Sequence, residues 1–83
     1  MNRDYVLFNL REAKNELDRT IGEIEKDADY DHGEFVVAMS HLYHHLNTAW
    51  NARDSSEKEA RECSQQNFDR WRQFPGTDEL FLK

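Results

Sequence analysis

The residues best suited to chemistry are three histidines within five positions, His41-Leu-Tyr-His44-His45. On a helix, His41 and His45 stand one turn apart on one face, the spacing at which imidazoles bind zinc or iron. A zinc site needs three or four protein ligands, and metal-binding helices of bundles usually set an acidic residue beside the histidine. Neither Glu-x-x-His nor His-Glu-x-x-His occurs in this chain. An antiparallel third helix could bring Cys63 toward His45, and the first helix could bring Asp18 toward His41. The favoured expectation is that His41 and His45 are boundary residues bonded to a neighbouring helix or to water, that His44 is exposed, and that His32 belongs to a loop or first turn. No metal or other cofactor is therefore assigned; His41, His45 and Cys63 stand as candidates for an alternative metal-binding reading, and a pH-sensitive interface is a third use of the same imidazoles.

Other chemistry has less support. Cys63 lacks a local base or oxyanion pocket, so it reads as a small helix-packing residue rather than a nucleophile. With no phosphate loop, serine-nucleophile motif or kinase signature, no enzyme activity is expected. Arg70-Trp71-Arg72 resembles a base-stacking arrangement, but it stands alone among seventeen acids and eleven bases, a net charge of −6. Nucleic acid is excluded as a partner, and Trp71 is expected in the core with its arginines covering the edges.

Three amphipathic helices would position these groups. Val6, Leu10, Ala13, Leu17, Ile21 and Ile24 trace one face of a first helix over about 3–27, with Gly22 on its outer side. Asp31 and Glu34 form a capping-box pattern, with Tyr30 and Phe35 as its hydrophobic staple, opening a second helix over 32–53. Its face carries Phe35, Met39, Leu42, Leu46 and Ala49, while Val36, Tyr43 and Trp50 add a second row. This apolar arc is wider than one neighbour requires, so the second helix should be central. Ser56 and Glu59 repeat the capping box before a third helix over 57–74, whose inward residues would be Ala60, Cys63, Ser64, Asn67, Trp71 and Phe74. Pro75-Gly76 stops it, leaving a tail over 75–83. Short connections make this an all-α, up-down-up antiparallel bundle of three helices in one domain, residues 1–83.

Eighty-three residues bury a small core, and one cysteine permits no internal disulfide. No charged-then-apolar leader follows Met1 and no apolar run suits a membrane span, so a cytoplasmic location without membrane association is expected. Several apolar residues remain once the inward faces are assigned: Phe8, the Val36, Tyr43 and Trp50 row, and Leu80, Phe81 and Leu82 in the tail. Apolar patches beyond a few hundred Å² usually mark interfaces. The sequence thus points to a small non-catalytic protein-interaction module, expected to be a homodimer or to bind another protein.

Overall fold

In the computed structural model the described residues are 1–62, 65–71 and 73, and they are all-helical, with no strand. Cys63, Ser64, Arg72, Phe74 and the tail with Leu80, Phe81 and Leu82 lie outside them. Helix α1 spans Arg3–Lys26 and α2 spans His32–Asn51; the expected third helix is described as two, α3 at Glu57–Glu62 and α4 at Gln65–Trp71. No described helix is long and apolar enough to cross a membrane.

The starts of α1, α2 and α3 each follow from a side chain that satisfies a free backbone N–H. Asn2 accepts from the Tyr5 amide at 3.2 Å, a cap that the sequence reading passed over. Asp31 accepts from the Glu34 amide at 2.8 Å, as its spacing predicts. At α3 both halves of the capping box form: the Glu59 amide donates to Ser56 Oγ and the Ser56 amide to Glu59 Oε1, each at 3.1 Å. That amide, with Arg70 second, holds the Glu59 carboxyl below the usual carboxylate range. Asn2 also ties the start of α1 to the loop after α2, through its amide to Arg53 O at 2.6 Å and its side chain to Ser55 O at 3.2 Å.

Helices α1 and α2 form an antiparallel hairpin, and α2 also packs on α4, so α2 is central as expected. Ala13, Ala49, Asn67 and Trp71 are buried as expected, but the large aliphatic residues of the inward faces are not. The buried apolar set consists of Ala13, Ala38, Ala49, Ala52 and Trp71, and the buried polar set of Asn9, Thr20, Asn47, Thr48 and Asn67. Asn9, Ala13 and Thr20 mark one narrow line on α1, extended by the half-buried Glu16, and Ala38 and Ala49 mark another on α2, extended by Ala52 at its C-cap. Small side chains let two helix backbones approach closely, and these lines form the seam.

The long apolar stripes lie beside that seam. At about 100° per residue, Leu10, Leu17, Ile21 and Ile24 fall about 60–120° to one side of Asn9, and Phe35, Met39 and Leu46 fall about 60–100° in the same rotational sense from Ala38. In an antiparallel pair of right-handed helices those two rotations lead to the same face. Accordingly Leu10, Leu17, Ile21, Ile24, Phe35 and Leu46 are all exposed, Leu17 at 46% and Ile21 at 49%. The seam residues rotate the other way into the groove of Glu16, Arg19, Glu23, Glu34 and His41, and, further along, into the cleft that α4 closes. The hairpin therefore has one apolar face and one face that is charged at one end and covered by α4 at the other.

Candidate functional site

The three histidines do not share a site. His41 is exposed, with Nδ1 3.8 Å from Glu16 Oε1. Asp18, the expected partner from α1, instead pairs with Lys14 at 3.1 Å, because it projects opposite the seam whereas Glu16 projects along it. Arg19 donates to the other oxygen of Glu16. One turn on, His45 meets Asn9: the amide nitrogen of Asn9 donates to Tyr5 O at 3.1 Å, and its oxygen faces His45 Nδ1 at 3.3 Å. His41 and His45 thus engage different residues of α1, and among the described residues no three His, Cys, Asp or Glu side chains gather as a metal cluster would.

His44 differs from the expectation of exposure. It is half-buried under α4, 5.1 Å from the Phe68 ring and 5.1 Å from the His45 ring, and its Nδ1 is buried without a hydrogen-bond partner. Burial comes first in lowering its pKa below the ordinary histidine value, followed by the neighbouring charges of His45 and His41. The folded chain therefore binds this proton less readily than the unfolded chain. The stabilisation is present above the unfolded value near 6.5 and is lost as pH falls through the lower folded value. Thermal melts should show a falling midpoint on acidification from pH 7.5 to 5, and His44→Gln should flatten that slope; an equal slope in the variant would remove His44 as its source.

Trp71 lies in the core as expected, with Arg70 positioned 5.2 Å over its ring. Tyr5 packs on it at 5.9 Å, and its backbone oxygen accepts from Asn51 at 2.9 Å. Asn67, also buried, donates to Glu59 O at 3.2 Å and accepts from Arg70 at 2.9 Å, joining α4 to α3.

The expected interaction residues separate into two places. Val36 is exposed, Tyr43 is 39% exposed, and Trp50 is half-buried with Arg53 stacked 4.0 Å over its ring; all three border the apolar face on α2. Phe8 is exposed and stacks parallel to Tyr5 at 6.3 Å on the opposite side of the hairpin, so it does not belong to that face. The centre of the face is formed by Leu10, Leu17, Ile21 and Ile24 of α1 with Phe35, Met39 and Leu46 of α2, all of which periodicity assigns to an internal core. From Leu10 to Ile24 and from Phe35 to Leu46, no charged side chain falls within the stripes. No known family, curated protein or solved structure matches this chain. The apolar face is the most extensive candidate site among the described residues.

The signal that distinguishes seam from face is present in the sequence but quiet. Asn9, Ala13, Glu16 and Thr20 recur at four, three and four positions, as the apolar stripe does, but they look like an ordinary surface line. Apolar weight decides between two such lines only when the fold is a closed monomer.

Proposed function

We propose that this chain is a non-catalytic helical interaction module that works as a homodimer, with a second copy seated on the apolar face of the α1–α2 hairpin. The observation that carries this reading is the pair of exposed stripes turned to the same side, Leu10 to Ile24 and Phe35 to Leu46. Together they leave large apolar side chains of both helices open on one side, and apolar patches of that kind usually mark an interface. A hairpin with a stripe on each helix is half of a four-helix bundle, and a two-fold axis through the face would supply the other half from an identical surface.

The intrachain core supports the same occupant. Trp71 is the one buried apolar side chain larger than alanine among the described residues. Burial of a leucine or isoleucine side chain contributes roughly 1.5–3 kcal/mol, so a second copy would give this chain the core that its own seam lacks. In this bundle Val36, Tyr43 and Trp50 form the border on α2, and the up-down-up arrangement continues with α3 and α4 on the outer face, away from the dimer axis.

Light scattering across a concentration series tests the assembly. The expected molar mass is twice the 9.9 kDa of one chain at tens of micromolar, falling on dilution. A mass of one chain at several hundred micromolar would overturn the proposal.

A further inference from the structure

Charge is distributed unevenly around the apolar face. On α1 the edge turned away from α2 carries Arg3, Lys14, Asp18 and Glu25, about 120–180° around the helix from Asn9 and all exposed. Its two cations come before its two anions. Lys14 and Asp18 pair with each other at 3.1 Å, whereas Arg3 and Glu25 pair with no opposite charge among the described residues. From Glu23 to Glu34, around the turn that joins the helices, Lys26 stands alone against six carboxylates. The opposite end, where α1 begins and α2 finishes, carries Arg3 and Arg53 beside Asp4 and Asp54.

A two-fold axis lying in the plane of the face can run along the helices or across them. Running along them, it sets α1 of one copy beside α2 of the other and brings both acidic turns to one end. The charged edge of α1 then meets the row of Val36, Tyr43 and Trp50, which has no charge to answer it, and like charges gather within the ~8–10 Å over which salt leaves them effective. Running across the helices, the axis sets α1 over the partner's α1 in reverse. Cations of one edge then face anions of the other, and each acidic turn lies over the less acidic end of its partner.

The height of such an axis is set by both helices separately. His45 against Asn9 and His41 against Glu16 fix the relative heights of α1 and α2, and they place Lys14 within about one turn of Tyr43. Lys14 is eleven residues from both Arg3 and Glu25, and Tyr43 is seven from both Val36 and Trp50. One axis at this height therefore brings Arg3 opposite the partner's Glu25 and Val36 opposite the partner's Trp50. Resting on the homodimer proposed above, we infer that the second copy docks reversed end for end, about an axis that crosses the helices at the level of Lys14 and Tyr43, with Arg3 and Glu25 forming ion pairs between the copies.

Spin labels at Asp29→Cys in a Cys63→Ser background test the orientation. Electron–electron double resonance should give a separation of about 35 Å or more, because the labelled turns then lie a helix length apart, about 36 Å for the 24 residues of α1. An axis along the helices would hold the labels within about 25 Å, since neighbouring helices pack about 8–10 Å apart. Should this variant fail to fold, isotope-filtered NOE spectroscopy on the unaltered chain decides the same point: contacts from Leu17 to the partner's Leu46 support the reversed copy. A short label separation, or contacts from Ile24 to the partner's Phe35, in a protein of dimer mass would overturn the orientation alone. A single-chain mass would overturn the dimer and the orientation with it.

Discussion

Leu17→Glu combined with Leu46→Glu should convert the assembly to single chains while leaving the hairpin folded. Each side chain sits on the apolar face and is exposed within one chain, Leu17 at 46% and Leu46 at 39%. In the dimer each would be covered, and a carboxylate there would lose its water without gaining a partner. With both copies substituted, four such penalties of roughly 1.5 kcal/mol each weaken association on the order of ten-thousandfold. Within one chain the cost should stay near the ~0.5 kcal/mol typical of surface substitutions. Sedimentation velocity should therefore show the single-chain mass, with the helical circular dichroism spectrum retained at low concentration. Loss of helicity at every concentration would mean that these leucines hold the single chain together.

Trp71→Ala should have the opposite signature. This side chain is 5% exposed, touches Tyr5 of α1, lies under Arg70, and presents its backbone oxygen to Asn51 of α2. Truncation removes the link between the hairpin and α4 and opens a void against the Tyr5 ring. Large-to-small changes of this kind cost about 3–5 kcal/mol, a large share of the 5–15 kcal/mol that stabilises a typical domain. Urea denaturation followed by helicity should show a lower midpoint at every protein concentration, because the loss is intrachain. A change below ~1 kcal/mol would show that α4 contributes little to holding the hairpin.

Sequence patterning reveals helix limits more fully than helix contacts, and particular residues show why. The ends of α1 and α2, and the caps at Asp31 and Ser56, depend on local backbone chemistry, which the sequence carries in full. The seam depends on which side of each helix meets the other. Leu10, Leu17, Ile21 and Ile24 outweigh Asn9, Ala13 and Thr20 in apolar area, so a reading that assumes a self-contained core turns the wrong side inward. The same rotation misplaces His44, which seems to point outward until α4 is found on that side, and it hides Asn9 as the partner of His45. Glu16 rather than Asp18 facing His41 is another consequence of the seam running through Ala13.

Exposed apolar stripes beside a polar seam suit one half of a shared bundle. Burial of Asn9 and Thr20 beside Ala13 sets the approach of α1 to α2, and in the proposed dimer the leucine and isoleucine stripes would supply the association. Specificity and affinity would then be carried by different residues of the same two helices.

Isotope-filtered NOE spectroscopy on a mixture of labelled and unlabelled chains tests this division most directly. The account predicts intermolecular contacts from the methyl groups of Leu17, Ile21 and Ile24 of one copy to the apolar stripes of the other, with Leu17 meeting the methyl groups of Leu46. Intermolecular signals absent at millimolar concentration, with those same methyls instead contacting residues 74–83 of their own chain, would contradict it.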